Sequence, residues 1–422
     1  MMDKVGRPAQ SFDAGLAGVA APNGRLAWSP AEPESIEALQ VIYKVAERCN
    51  INCTYCYYFN MGEETAFTRP PLASIDVTEA LARWIAQGCE ELCIPCAKVS
   101  FHGGEPTLMG VKRFGDACRR LRDIIEPVAT VLLSIQTNGT LLDDEWVAAF
   151  MEHGVDVGVS IDGPQAANDR FRLDRHGRSS FGRTEEAIRR LVEAHGSGGP
   201  LPSTVSVVHS GNDYRSVYRY LRALGVKDMT FLLPDRNADD VEFISSGAAK
   251  QYGSCLSEIF YEWLSEDNTE VHVNFVDQLL VHFRPDIAPG QVFRRPRKAN
   301  QVVIARSDGT VAIDDTFIPA LSWYAGTPVY STDKITLRGF LTNPIFQEIE
   351  ETSNTLPGGC TECRWRDICR GGDLENRFST QNGFDNPSVY CDAYKVMFQY
   401  VCDELVRNGY PADLVTAKFG KA

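Results

Sequence analysis

The chain has 422 residues, of which 44% are hydrophobic, so it is long enough for two domains with substantial cores. Its formal net charge of −14 argues against nucleic acid as the main partner. The sequence has no apolar run of about 18 residues and no signal-like start, so we expect a cytoplasmic protein without a membrane span. Its 13 cysteines come in clusters, which in a reducing compartment indicate metal binding rather than disulfides.

The predicted elements change in character along the chain. Residues 1–36 are rich in Ala, Gly and Pro, and we expect a flexible or loosely packed arm. Over residues 37–240, helix-like segments alternate with six strand-like ones, LQVIYKV, AKVSFHG, TVLLSIQT, VDVGVSID, TVSVVHS and DMTFLLP. This alternation predicts an α/β fold with a parallel sheet. We expect a helical linker over 241–300, and over 301–422 a hairpin, a cysteine-rich segment and a helix near 389–407.

Three cysteines follow the first predicted strand. Cys49, Cys53 and Cys56 have three and then two residues between them. A structural zinc site takes four ligands, whereas three thiolates fit a [4Fe–4S] cluster that keeps one iron open for a small molecule. Tyr55 can place its ring over that molecule. The loops after the strands of barrel-like folds carry chemistry, so we predict the active site here, although this motif alone would also suit a zinc loop.

Four further motifs follow in order: HGGEP (102–106), SIQTNGT (134–140), SIDGP (160–164) and NDRFR (168–172). With the three cysteines they resemble the radical SAM superfamily. The resemblance implies a partial (β/α)6 TIM-like barrel, a radical SAM [4Fe–4S] cluster and S-adenosylmethionine (SAM). It assigns the SAM amino group to the GGEP segment, the ribose to the SIQTNGT segment and the methionyl carboxylate to an arginine. The implied SAM-binding residues are Tyr55, Gly103, Gly104, Glu105, Pro106, Gln136, Thr137, Asn138, Ser160, Asp162 and Arg172.

A second cysteine group has the same spacing as the first. Cys89, Cys93 and Cys96 precede the second strand, away from the expected active-site edge. We interpret them as packing residues, with a further metal site as the alternative. Single cysteines in helix-like segments, Cys118, Cys255 and Cys402, are predicted to lie in the core.

The last third of the chain carries four cysteines, Cys360, Cys363, Cys369 and Cys391. By themselves they suit a zinc ribbon or a closed [4Fe–4S] site. Beside the first half of the chain they resemble a SPASM or twitch-like domain, the auxiliary-cluster module of peptide-modifying radical SAM enzymes.

The full SPASM pattern holds two auxiliary clusters, and this chain departs from it. Asp314 and Asp373 stand where the pattern has cysteines, and the cysteine expected before Gly309 is absent. The resemblance therefore implies one auxiliary [4Fe–4S] cluster, held by the four cysteines. An inner cluster ligated by Asp314 and Asp373 remains the alternative.

The segment CRGGDLENRFS…NGFDNPSVYCD resembles maturases that install three-residue cyclophanes. These join an aromatic ring carbon to the β-carbon of a residue two positions along in a ribosomally made precursor peptide. The resemblance also implies a flavodoxin- or ferredoxin-type electron donor. Asp315 is the candidate proton acceptor, because sulfatase-maturing relatives place a catalytic Asp there. Its place at the end of the hairpin is equally that of a turn residue.

Two other functions remain open. The first is a different radical peptide modification: thioether formation, epimerisation or formylglycine formation. The missing inner-cluster cysteines count against the last of these. The second is a non-catalytic iron–sulfur or zinc protein, against which the GGEP segment and Arg172 count, because an electron carrier needs no methionine pocket.

Overall fold

The computed structural model describes residues 36–284, 286 and 300–420. The predicted N-terminal arm lies outside these residues, except for its last residue, Ile36. The described strands form one sheet in the spatial order β10-β9-β8-β1-β2-β3-β4-β5-β6-β7. Their bounds are β1 Ala38–Ala46, β2 Cys96–Gly103, β3 Thr130–Thr137, β4 Val155–Ser160, β5 Ser203–Val207, β6 Asp228–Leu232, β7 His272–Val273, β8 Asn300–Arg306, β9 Thr310–Ile313 and β10 Tyr330–Ser331.

Strands β1 to β7 pair in parallel in chain order. The six predicted strands are β1 to β6, so the alternating pattern is confirmed. The two outermost strands do not pair with each other in the described chain, which leaves the barrel open. The carboxyl ends of the parallel strands therefore meet at one edge, where their loops lie together.

Helices alternate with these strands and cover the outside of the sheet. The first seven are α1 Tyr57–Asn60, α2 Ile75–Leu92, α3 Val111–Ile125, α4 Asp144–His153, α5 Gln165–Asn168, α6 Phe181–His195 and α7 Tyr214–Ala223. Several begin at a polar residue whose side chain accepts a hydrogen bond from a backbone N–H of the first turn. The Ser74 side chain accepts from the Val77 N–H, and the Asp143 side chain accepts from the Trp146 N–H. Buried side chains of the sheet, such as Val99 and Leu133, share one core with Phe114 of α3.

The later helices connect the sheet to the cysteine-rich segment. They are α8 Val241–Ser246, α9 Ala249–Glu266, α10 Asn274–Leu280, α11 Leu321–Tyr324, α12 Leu337–Leu341, α13 Pro344–Asn354, α14 Arg366–Cys369, α15 Cys391–Arg407 and α16 Ala412–Phe419. Short 3-10 helices occur at Thr65–Thr68, Pro106–Met109, Val281–Phe283, Asp315–Ala320 and Gly358–Cys360. Helices α9 and α15 approach closely at Gly253, where an added Cβ would lie 2.5 Å from the Ala393 carbonyl oxygen.

The predicted hairpin after residue 300 is β8 and β9, and its position extends the sheet. Strand β8 lies parallel to β1 over a register that runs from Ala38 opposite Asn300 to Lys44 opposite Arg306. Strand β9 then returns antiparallel to β8. Residues after 300 thus share a sheet with the barrel, and the domain boundaries at 240 and 300 remain predictions.

No helix in the described part of the chain is long and apolar enough to cross a membrane.

Candidate active site

The three cysteines of the first motif lie on the loop between β1 and α1. Burial, together with negative charge on Glu105, Cys53 and Cys56, raises the pKa of the Cys49 thiol to about 12. Burial also raises the pKa of Cys53 and of Cys56. Three mutually repelling, buried thiols are unfavourable as thiolates unless a cation offsets their charge. The loop therefore suits an iron–sulfur cluster better than free thiols.

The GGEP segment packs directly on the residues that precede Cys49. Gly104 N–H donates to the Ala46 carbonyl at 2.7 Å, and Glu105 N–H donates to the Arg48 carbonyl at 2.9 Å. A Cβ on Gly103 would lie 2.1 Å from the Ala46 oxygen, and one on Gly104 would lie 2.2 Å from the Arg48 oxygen. Both positions thus require glycine, because any side chain would separate the two segments.

Glu105 connects the GGEP segment to the SIQTNGT segment. Its side chain is fully buried and accepts from Thr137 Oγ1 at 2.6 Å and from Asn138 N–H at 2.7 Å. It also accepts from the Thr107 N–H and hydroxyl. Burial raises its pKa, and these hydrogen bonds oppose that rise. Asn138 in turn donates to Asn50 and lies 3.8 Å from the Cys49 sulfur. The three motifs therefore form one network around the cysteine loop.

The remaining polar residues assigned to SAM form two hydrogen-bonded groups. Tyr55 donates to Asp162 Oδ2 at 2.8 Å and accepts from the Arg172 guanidinium at 2.8 Å. Gln136 donates to Ser160 Oγ at 2.8 Å. Arg172 is 6% exposed and its charge lowers the Cys53 pKa against the effect of burial. A buried cation beside the cysteine loop is the chemistry that a carboxylate ligand requires.

The structure thus brings together the residues that the sequence assigns to cofactor binding. Tyr55 precedes Cys56, and Pro106 opens the 3-10 helix after the GGEP segment. These side chains include a carboxylate, a guanidinium and amides, all on one edge of the sheet. Their chemistry fits the amine, carboxylate and ribose of SAM.

Asp315 lies in a buried ion pair. Its carboxylate is 2.6 Å from Lys44 Nζ, and the two side chains are 5% and 0% exposed. Tyr57, next to Cys56, donates to Asp315 at 3.4 Å and accepts from Lys44 at 3.2 Å. Asp314 instead accepts from Thr316 N–H at 3.1 Å and caps the 3-10 helix. The turn role thus belongs to Asp314, while Asp315 points to the residues beside the cysteine loop.

Two further titratable groups surround this pair, and sequence reasoning missed both. Burial and the negative charge of Asp315 raise the pKa of Asp235, just after β6, to about 6. Burial and the charge of Lys44 lower the pKa of His102 to about 3, and its Nδ1 accepts from Gly103 N–H. Lys44 was also missed, although a lysine within the apolar segment LQVIYKV is a signal that could have found it.

The four C-terminal cysteines line one pocket. Cys360 ends a 3-10 helix, Cys369 ends α14 and Cys391 begins α15. The pocket also includes Cys363, the aromatic residues Trp365, Tyr394 and Phe398, and the cations Arg366 and Lys395. Burial and the charge of neighbouring cysteines raise the pKa of Cys360 and of Cys369, the latter to about 12. Four thiols that line one pocket with adjacent cations suit a closed [4Fe–4S] cluster.

No three His, Cys, Asp or Glu side chains in residues 36–284, 286 and 300–420 are grouped as ligands of a single metal ion. Asp373, one of the two aspartates at inner-cluster positions, lies near Cys369, whose thiol pKa its charge raises. Asp314 caps a helix, as described above. An inner cluster ligated by these two aspartates stays the alternative.

The second group of three cysteines lies away from the active-site edge. Cys93 is exposed at the end of α2, and Cys96 begins β2, at the opposite end of that strand from Gly103. Cys89 is buried in α2. Cys118, Cys255 and Cys402 are buried in helices, as predicted.

Comparison with known proteins identifies the barrel. Residues 43–208 match the family model of the radical SAM superfamily. These residues form a radical SAM domain. A serine-type anaerobic sulfatase-maturating enzyme of Bacteroides thetaiotaomicron is 27% identical over 406 residues, which cover 89% of this chain and 94% of that protein.

Two solved structures resemble this chain over most of its length. Native anSMEcpe with bound AdoMet has a TM-score of 0.71 at 21% identity and covers 88% of this chain and 99% of that one. Streptococcus suis SuiB bound to precursor peptide SuiA has a TM-score of 0.58 at 12% identity, covering 90% of this chain and 86% of that one. These likenesses confirm the predicted fold class, a radical SAM partial barrel followed by a SPASM-like domain.

We predict about eight irons per chain after anaerobic reconstitution, four for each of two clusters. Replacing Cys360, Cys363, Cys369 and Cys391 together by Ala should lower the iron count to about four. The exposed Cys93→Ser is the matched control and should leave it at about eight. Iron and sulfide analysis checks this. About twelve irons would contradict it, and would mean that the aspartate-ligated inner site or the Cys89 group is filled.

Proposed function

We propose that this radical SAM enzyme crosslinks a ribosomally made precursor peptide. It would join an aromatic ring carbon to the β-carbon of a residue two positions along and so form a cyclophane. The observation that carries the proposal is the buried Asp315–Lys44 pair beside the cysteine loop, next to an inner-cluster position that has Asp314 instead of a thiolate. A base without an adjacent inner cluster suits a reaction that must remove a proton from the substrate.

The cofactor roles follow from the groups that the site offers. Cys49, Cys53 and Cys56 would hold the radical SAM cluster, and Cys360, Cys363, Cys369 and Cys391 the auxiliary cluster. SAM would bind through the edge that carries Glu105 and Arg172. When bound, the reduced cluster and SAM would supply the radical chemistry that removes a β-hydrogen from the peptide.

The protein's own part is to position the peptide and accept a proton. Forming the carbon–carbon bond breaks one β-carbon–hydrogen bond and one ring carbon–hydrogen bond, so the ring must lose a proton and an electron to regain aromaticity. Asp315 would take the proton, and Lys44 would offset the carboxylate's charge in this buried place. The electron needs an acceptor, and the four-cysteine pocket is where this chain can hold one.

Formylglycine formation is the second candidate. It is favoured by the likeness to anaerobic sulfatase-maturating enzymes along most of the chain. The replacement of inner-cluster cysteines by Asp314 and Asp373 counts against it. Both candidates need a peptide substrate, a choice supported by the peptide-bound SuiB structure. We further propose a flavodoxin- or ferredoxin-type electron donor and a cytoplasmic location, with neither nucleic acid nor a membrane as partner.

Peptide products separate the two candidates. Incubation with SAM, reductant and the peptide of an adjacent short open reading frame should yield a product that has lost two hydrogens. Fragmentation in the mass spectrometer should fail between the two joined residues, and hydroxylamine should not react. A hydroxylamine-reactive aldehyde at a Ser or Cys would contradict crosslinking and establish formylglycine formation. A product of unchanged mass would contradict both.

Asp315→Asn should separate hydrogen abstraction from product formation. The variant keeps SAM binding but cannot take the proton, so crosslinked peptide should fall about a hundredfold while 5′-deoxyadenosine still forms. Deuterium at the substrate β-position should still appear in 5′-deoxyadenosine. Chromatography of both products from one reaction checks this. A parallel fall in both products would show that Asp315 positions the peptide or supports the fold.

The control for this variant addresses the buried charge that it leaves. Asp315→Asn alone leaves Lys44 as a buried charge without its carboxylate partner. Removing one partner of a buried ion pair costs about 3–5 kcal/mol of stability. Adding Lys44→Met removes both charges and should restore much of the melting temperature. Crosslinking should stay low in the double variant. Recovery of crosslinking there would contradict Asp315 as the proton acceptor.

A further inference from the structure

Arg306 is the last residue of β8 and lies beside the buried ion pair, although no motif includes it. In the parallel ladder of β8 with β1, Arg306 is directly opposite Lys44. Residues that are paired across two strands point to the same face of the sheet. The Arg306 side chain therefore shares the face of Lys44, whose Nζ pairs with Asp315.

The Arg306 guanidinium is buried with few partners. The residue is 7% exposed, and in the described part of the chain its side chain makes one hydrogen bond, of 3.4 Å, to the Tyr324 hydroxyl. The negative charge of Asp315 acts on it, but the Asp315 carboxylate is paired with Lys44. The similarly buried Arg377, by contrast, donates to three backbone carbonyls. A buried arginine without a carboxylate partner is rare, because an unpaired buried charge is unfavourable.

The unpaired N–H groups of Arg306 border open space. In the described residues, the guanidinium nitrogens that are both enclosed and unpaired are Arg69 Nη1 and Arg236 Nε, and none belongs to Arg306. The space that its nitrogens reach lies close to the hydroxyls of Tyr58 and Tyr324. A guanidinium has five N–H donors in a planar fork, which matches the two oxygens of a carboxylate. The site thus offers a fixed cation with free donors to an anionic group.

We propose that Arg306 binds a carboxylate of the precursor peptide and thereby orients the peptide beside Asp315. The anionic groups of a peptide at neutral pH are its Asp and Glu side chains and its C-terminal carboxylate. Any of these would give Arg306 both the missing charge partner and two hydrogen bonds. The carboxylate of SAM is assigned instead to Arg172, which donates to Tyr55. The inference rests on the proposed action on a peptide, and it holds for either candidate product.

Peptide affinity of the reconstituted full chain, measured anaerobically with SAM and without reductant, tests this proposal. The probe is the fluorescently labelled peptide of the adjacent short open reading frame. Arg306→Gln should raise its Kd about tenfold to a hundredfold, the effect of a lost hydrogen-bonded charge pair. Arg306→Lys keeps the charge but not the fork and should recover part of that loss. Arg189→Gln is the matched control, because Arg189 is 59% exposed and pairs with Glu185 on α6, so its Kd should be native.

Altered peptides identify the carboxylate. One peptide carries a C-terminal amide, and the others have each Asp or Glu replaced singly by Asn or Gln. One of them should bind the native enzyme about as weakly as Arg306→Gln binds the unaltered peptide, and Arg306→Gln should bind it no more weakly still. If Arg306→Gln weakens every peptide by the same factor, Arg306 contacts no carboxylate and the proposal is overturned. An unchanged Kd of Arg306→Gln for the unaltered peptide would also overturn it.

The Kd for SAM, the iron content and the melting temperature are measured on the same samples. None of them should change for the worse in Arg306→Gln. A raised Kd for SAM would overturn the proposal and assign Arg306 to the cofactor. Lost iron or a lowered melting temperature, with all peptides weakened equally, would overturn it and make Arg306 a structural residue. Because no product forms without reductant, a failed crosslinking assay leaves this result untouched, and an unchanged peptide Kd leaves the crosslinking proposal untouched.

Discussion

The pairing of β1 on both its edges is the constraint on which the site depends. Strand β2 lies parallel to one edge and β8 to the other, although β8 follows about two hundred and fifty residues later in the chain. Because all three strands run in the same direction, their carboxyl ends lie side by side. The cysteine loop, the GGEP segment and the turn at Ser307 are thereby held at one edge. The return of β9 then leads into the 3-10 helix that carries Asp315.

Buried charge gives this edge its chemical character. Lys44 and Asp315 are both removed from water, and an isolated charge in such a place would be strongly unfavourable. Tyr57 hydrogen-bonds to both members of the pair and also adjoins Cys56. The ion pair and the cysteine loop are thus joined through one side chain. Asp235 and His102 extend the same group of titratable residues around the pair.

Local patterns in the sequence were sufficient to predict β1 to β6, the hairpin after residue 300 and the main helices. The alternation of apolar segments gave β1 to β6, and glycine positions such as Gly104 could be interpreted because only close backbone approach requires them. The pairing of β8 with β1 could not be predicted, because periodicity does not report which distant strands meet. For the same reason Lys44 was not connected with Asp315, and Asp314 could not be told from Asp315 as the turn residue.

The central claim is that Cys49, Cys53 and Cys56 hold the cluster that allows this enzyme to split SAM. Its most direct test is 5′-deoxyadenosine production under strong reductant by the variant in which all three are Ala. The variant in which the four C-terminal cysteines are Ala is the comparison, and it should still cleave SAM because its barrel site is intact. The account predicts that the triple variant forms no 5′-deoxyadenosine above background. Production at the native level by the triple variant would contradict it.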